Sequence, residues 1–425
     1  MPSAREISLP YGSGKVSASV PQNWRLEELT APKSEPLRDV TALLEKILDN
    51  PVGSRPFNAI FKDRKRVAIV VPDKTRRCGV DILLPTVLER LEKIGIADIT
   101  IMFATGIHPG QSEEEKSAIV GEEIYSKYRC VDHDARGELA DVGAFLGKPL
   151  MLNRDVAEAD GKIVIGGVKL HYLAGFGGAR KAIMPGVASH ENCIDFHRLS
   201  LNAKGSGRHP RIGAGILEGN PMHIAATEAA KMAGVDFVIN TVLDEEGRVV
   251  FVNGGTLEDS FAEAVKEAEE LSVVPIKGKG DVVIASCGGY PADINFIQSQ
   301  KSLDFAYRGV KPGGVLVLLA ECRDGIGNAD FLKWFDHGSV GEMEKALRKD
   351  FVINGQTAMA TREKTEAVKV FLLSSLPDEA VIRMGMTPVR TLDEAVIEAR
   401  KIVGDNELDA FLIKHASSFM QIVRG

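Results

Sequence analysis

Short β-branched runs that break into polar, glycine-bearing loops recur along this chain, and stretches with helical spacing separate them. The first clear case is Arg66 to Val71, RVAIVV. An unbroken apolar run of this kind suits a strand buried on both faces of a parallel sheet. It ends in Pro72-Asp73-Lys74-Thr75-Arg76-Arg77, and the apolar spacing over Ile82 to Ile94 predicts a helix. Ile99 to Phe103 is the next strand, ending in Thr105-Gly106-Ile107-His108-Pro109-Gly110, and Lys162 to Ile165 runs into Gly166-Gly167. Phe237 to Leu243 and Arg248 to Phe251 read as a hairpin. A second alternating set comprises Asp281 to Ser286, Val315 to Leu319, Val368 to Leu373 and Val381 to Arg383. Strands alternating with helices imply an α/β fold, here two α/β domains with mostly parallel sheets. The expected division is 1–274 and 275–404, with a last helix over about Glu407 to Val423 (405–425) packing back on the first domain. The first 60 residues signal only a hairpin at Ile7 to Val20 and a helix near Leu37 to Leu48.

A chain of 425 residues is long enough for two or three such domains. Its net charge of −7 and aromatic content of 6 % argue against a nucleic-acid or membrane-surface partner. The five cysteines are scattered without C-x-x-C spacing, so neither a disulfide framework nor a structural zinc site is expected. Met1 to Pro10 lacks a signal-peptide pattern and no run is long enough to span a membrane, so the cytoplasm is the expected location.

In parallel sheets, ligands bind where loops leave the carboxyl ends of strands. Here those loops carry Asp73, Thr75 and Arg76; His108; and Lys169 with His171. The densest stretch is Gly166 to Ser200, GGVKLHYLAGFGGARKAIMPGVASHENCIDFHRLS. Gly175, Gly177 and Gly178 let backbone N–H groups approach a ligand, although such clusters are more often plain turns. Arg180-Lys181 reads as a solvated basic pair or as an amine whose neighbouring cation disfavours protonation. Ser189 is placed to cap a helix on which His190, Cys193 and His197 share a face, at i, i+3 and i+7. Such a face can hold a transition metal or can be two surface histidines around a buried thiol. His108 and His171, from separate strand ends, have the chemistry of an acid and a base working on one planar centre. Gln298 and Lys301, at i and i+3 on a helix, suit a carboxylate.

Taken together, the segments PDKTRR (72–77), TGIHPG (105–110), KLHYLAGFGGARKAIMPG (169–186), HENCIDFH (190–197) and GGYPADINFIQSQK (288–301) resemble the nickel-pincer nucleotide-dependent lactate racemases and their 2-hydroxyacid racemase and epimerase relatives. The resemblance implies two α/β domains closing over an interdomain cleft. It implies a nickel-pincer nucleotide attached covalently to Lys181, with His197 as nickel ligand and with Asp73, Lys74, Thr75, Arg76 and Gly186 at cofactor-contacting positions. His108 and His171 would be the catalytic acid/base pair, and Arg76, Gln298 and Lys301 would bind substrate. The implied reaction moves the α-hydrogen of a 2-hydroxycarboxylate reversibly as hydride through a 2-keto acid. Cofactor-making enzymes would be transient partners. Where lactate-specific members carry a Gln-Trp stretch, this chain reads Gln356-Thr357, which favours a longer or more polar acid such as malate, a hydroxyglutarate or an aldonate. Two other functions fit the residues: a mononuclear metal hydrolase or lyase using His190 and His197, or a non-catalytic protein that closes over an anion.

Overall fold

In a computed structural model, which describes residues 5–423, the run from Arg66 becomes a central strand because it is apolar toward both faces. Val67, Ile69 and Val71 enter one core with Leu44, Leu84 and Phe237. Ala68 and Val70 enter a second core with Leu152, Ile183 and Met222. The sheet order is Val249–Gly255, Phe237–Leu243, Gly161–Gly167, Arg66–Pro72, Asp98–Ala104, Arg129–Asp132, parallel except for the antiparallel edge strand Val249–Gly255. This unit comprises Lys33–Ala203 and Arg208–Leu271.

The second unit is built, among the described residues, from 5–32, Lys204–Gly207 and 272–423. Its six strands are all parallel, in the order Thr387–Val389, Lys369–Leu373, Val310–Leu319, Gly280–Ser286, Leu408–Ile413, Trp24–Leu29. Ile7 and Leu9 of the N-terminal hairpin, Arg5–Tyr11 with Gly14–Val20, fill a core with Val282, Ile284 and Val317. The hairpin also meets the loop after Gly280–Ser286. Gly12 donates its N–H to Asp293 Oδ2 at 2.8 Å, and the Tyr290 N–H donates to the Gly12 carbonyl at 2.8 Å.

Three expectations are corrected. Residues 5–32 do not join the 33–271 unit, because Trp24–Leu29 pairs with Leu408–Ile413. The expected terminal helix over 407–423 is instead two strands, Leu408–Ile413 and Met420–Val423; both pair in parallel with distant partners, so that segment stays in its own unit. Val381 to Arg383 is not a strand but the end of a helix, Asp378–Arg383, entered from Pro377 with Asp378 and Glu379 in its first turn. Among the described residues, no helix is long and apolar enough to cross a membrane.

A fragment beginning at Ser272 lacks both the edge strand and the hairpin core. It is expected to aggregate. Fusing residues 5–32 ahead of it through a flexible linker should restore a soluble, cooperatively melting unit in size-exclusion and circular-dichroism measurements. A well-folded 272–425 fragment would show the N-terminal segment to be dispensable.

Candidate active site

Arg66–Pro72 and Gly161–Gly167 are neighbours, yet the chain leaves them in opposite directions along the sheet, toward Asp98–Ala104 and toward Phe237–Leu243. A crevice opens outside the carboxyl ends of strands at such a switch point. The loops that leave there carry Asp73 to Arg76 and Lys169 to His171.

Asp73 is buried, and its carboxylate is answered on all sides. Oδ1 accepts from the Thr75 N–H at 3.1 Å, the Thr75 hydroxyl at 2.7 Å and Arg76 Nη1 at 3.3 Å, while Oδ2 meets His108 Nδ1 at 2.6 Å. Burial alone pushes this carboxyl up, but His108 and the Arg76 charge outweigh it and bring it down to about 2. Asp73 is therefore ionised at neutral pH, and His108 Nδ1 carries the proton of their hydrogen bond. The Nε2 of a neutral His108 then bears a lone pair. The His108 loop is fixed in turn: its N–H donates to the Thr105 carbonyl at 3.0 Å, and the Gly106 N–H donates to the Gly186 carbonyl at 2.8 Å.

His171 is set the opposite way. Its Nδ1 accepts the backbone N–H groups of Leu173 at 3.2 Å and Ala174 at 3.1 Å. A nitrogen that accepts two donors carries no proton, so the neutral ring has its proton on Nε2. That Nε2 lies 2.7 Å from Lys181 Nζ. The contact is a hydrogen bond only when Nε2–H donates to an unprotonated amine, the nucleophilic form of lysine. The turn that presents the two N–H groups requires Gly175, at φ +77°, where a Cβ would collide with the Ile216 carbonyl.

His197 lies on the helix His190–Arg198, which Ser189 caps as the sequence implies. Its Nδ1 sits 2.7 Å from the Cys193 carbonyl, so Nδ1–H donates and Nε2 is left as a lone-pair donor. Burial, chiefly, lowers this imidazole to about 4; the charges of Lys181, Arg76 and His108 push the same way, which places His197 in the company of both pairs. A neutral imidazole oriented by a carbonyl is the form a metal ligand takes. Cys193 is buried against the Pro185 and Ala188 carbonyls, and burial pushes its thiol up to about 12, far from a ligating thiolate. Among the described residues, no group of three or more His, Cys, Asp or Glu side chains is arranged to hold a metal ion. A hydrolase centre built on His190 and His197 therefore lacks a third His, Cys, Asp or Glu ligand among the described residues.

Of the other expected residues, Lys74 pairs through its side chain with Glu115, and its N–H donates to Gln111 Oε1 at 2.7 Å. Gly186 closes the turn after Lys181, its N–H on the Lys181 carbonyl at 3.1 Å, where a Cβ would strike the Ala182 carbonyl. Gln298 and Lys301 belong to the second unit, on the helix Phe296–Tyr307, with Lys301 Nζ donating to Gln298 Oε1 at 2.8 Å. Gln356 and Thr357 are both buried on the helix Ile353–Ala367. Sequence reasoning assigned Asp73 to the cofactor and missed it as the partner of His108. It also missed Gln111, which links Lys74 to Asp132 through Gln111 Nε2 and Asp132 Oδ1 at 2.8 Å. Arg180 is not solvated at all; it is one of the most completely buried large side chains.

Residues 11–208 match the family model of the lactate racemase N-terminal domain, and residues 276–418 match that of the lactate racemase C-terminal domain. A lactate racemase from Thermoanaerobacterium thermosaccharolyticum is 31 % identical over 413 residues, covering 94 % of this chain and 95 % of that protein. One from Lactiplantibacillus plantarum is 30 % identical over 411 residues, 92 % of this chain and 94 % of its own length. The lactate racemase apoprotein structure from T. thermosaccharolyticum superposes with a TM-score of 0.89 at 30 % identity, over 99 % of this chain and all of that one. A crystal structure from Thermotoga maritima shares the fold, with a TM-score of 0.63 at 18 % identity over 93 % of this chain and all of that one.

Because Asp73 is held at about 2 against an ordinary 3.8, the stability it contributes is complete above 3.8 and is lost as pH falls from there toward 2. Asp73→Asn is expected to cost about 1–2 kcal/mol at neutral pH. The gap between wild type and variant should close in chemical denaturation as pH falls through that window. A gap independent of pH would mean that the carboxylate charge is not what stabilises the loop.

Proposed function

The chain belongs to the lactate racemase family, and from that premise we propose that it inverts C2 of a 2-hydroxycarboxylic acid with His108 and His171 as the acid/base pair. It is an isomerase of the racemase type. The observation that carries the proposal is the opposite setting of the two imidazoles. His108 offers a lone pair on Nε2, backed by the Asp73 carboxylate, and His171 offers a proton on Nε2. Inversion of a centre that becomes planar needs one group that takes a proton and another that returns one.

Lys181 and His197 fit a nickel-pincer nucleotide. Lys181 presents its amine, 2.7 Å from His171 Nε2, for the covalent link, and His197 a neutral Nε2 for nickel. When bound, that group supplies the acceptor and donor for the α-hydrogen, chemistry no protein side chain offers. The chain's own residues do the rest. Asp73, Thr75, Arg76 and Gly186 line its place, with the Lys74 loop beside them. His108 takes the hydroxyl proton of one enantiomer, leaving a planar 2-keto acid; as the opposite enantiomer forms, the oxygen takes the His171 Nε2 proton, which water replaces while His108 returns its own to water, so both rings end neutral. The reverse direction exchanges their roles. Within its own unit Arg76 has the charge to hold the carboxylate and the developing oxygen charge, and within the other unit Gln298 and Lys301 are the pair with carboxylate-binding chemistry. Thr357, where lactate-specific members carry an indole, is the sequence feature that favours an acid longer or more polar than lactate.

The test is protein co-expressed with the cofactor-making enzymes. A heavier Lys181 peptide, near-stoichiometric nickel and polarimetric racemisation of one acid among enantiopure lactate, malate, 2-hydroxyglutarate and aldonates are expected. His108→Ala should retain nickel and the modified peptide while losing at least about 100-fold in racemisation. Unmodified Lys181, or full activity without His108, would overturn the assignment.

A further inference from the structure

Arg180 stands next to Lys181 but turns the other way, into the protein. Its side chain is 2 % exposed, and burial drives the guanidinium down to about 9 with no carboxylate among the described residues to offset it. A charge taken out of water without a counter-ion is costly for a fold to hold. Its contacts are with backbone oxygens: Nη1 donates to the Gly177 carbonyl at 2.7 Å, and Nη2 to the Phe176 carbonyl at 3.0 Å and the Ala174 carbonyl at 3.4 Å. The guanidinium carbon lies over the Phe261 ring, 3.9 Å from its centroid. Nε has no acceptor.

Those carbonyls belong to the turn whose Leu173 and Ala174 N–H groups hold His171 Nδ1. The turn is short. His171 pairs with Gly175 and Leu170 with Phe176, so the whole reversal is made by Tyr172 to Ala174. Asn220 secures one side of it by donating to the Leu173 carbonyl at 2.8 Å. Arg180 secures the other side with a rigid planar fork that reaches carbonyls a lysine's single ammonium cannot span together. We propose that Arg180 is a positioning residue: by holding the Ala174, Phe176 and Gly177 carbonyls, it keeps two backbone N–H groups on His171 Nδ1 and so fixes His171 in the Nε2–H tautomer that faces Lys181. Without the fork the turn relaxes, the N–H groups leave Nδ1, and the other tautomer becomes accessible. The Lys181 amine then donates to His171 rather than accepting from it.

The test uses the full-length apoprotein labelled with ¹⁵N-histidine, in which long-range proton–nitrogen correlation reads each tautomer. His171 is assigned from the signal lost in His171→Gln. Wild type should show His171 protonated on Nε2 alone, and Arg180→Met should show both tautomers. Arg180→Lys should lie between, and it carries the test if the Met variant does not fold. In Arg180→Ala, millimolar free guanidinium should return the wild-type pattern, and the same concentration of urea should not. In cofactor-loaded enzyme, Arg180→Met is expected to lower kcat by about 10- to 100-fold with KM little changed. A single Nε2–H tautomer in the folded Met or Lys variant, or Nδ1–H in wild type, would overturn the proposal. The kinetic consequence rests on the acid/base role proposed for His171, but the tautomer does not. An inactive protein with an intact Nε2–H signal would count against that role and leave Arg180's function standing.

Discussion

A carboxylate at the end of a central strand, out of reach of water, must be surrounded by donors. Asp73 is that group, and meeting its demand organises the surrounding chain. Thr75 and Arg76 curl back toward it through backbone and side chain. His108, from the neighbouring strand's loop, completes the shell. The loop carrying His108 is then tied to Gly186, which follows the short helix Arg180–Ile183 that bears Lys181. One buried negative charge thus sets the conformation of two strand-end loops, and it decides which nitrogen of His108 is left facing outward.

The strands that build the site were legible because they are buried on both faces. Val67, Ile69 and Val71 serve one core and Ala68 and Val70 the other, so no polar position interrupts the run. The loops were legible because Asp73, His108 and His171 follow such runs directly. Trp24–Leu29 was not legible: it has polar residues on one side, and its partner lies 384 residues downstream, as the Arg25–Asp409 pair shows. No local pattern encodes a pairing at that distance. Leu408–Ile413 was read as helix because a short apolar run fits either period until its partners are known. Within the site, residue types announced the histidines but not their protonation. The proton of His108 sits on Nδ1 because of a residue 35 positions away, and that of His171 on Nε2 because of a turn. Arg180 was misjudged because a charged side chain next to another is normally solvated, and only three-dimensional placement reveals carbonyls as its partners.

The same logic recurs at His197, where a carbonyl takes the place that a carboxylate holds at His108. A carbonyl orients the ring without adding charge, and burial keeps that ring neutral. A carboxylate would make the imidazole more basic, as suits proton transfer. Three histidines are thus given three settings by what each Nδ1 touches: a carboxylate, two backbone N–H groups, or a backbone carbonyl.

The parallel pairing of Trp24–Leu29 with Leu408–Ile413 has a consequence for biosynthesis. The ribosome releases the first strand of the second sheet long before the strand it must lie against exists. In the interval the 33–271 unit has all of its own residues and can finish folding, leaving the early segment tethered with an open hydrogen-bonding edge. Closure of that sheet must wait until almost the whole chain has been made, so a ribosome that stalls before residue 413 leaves a polypeptide whose 33–271 unit is complete and whose other half is sticky.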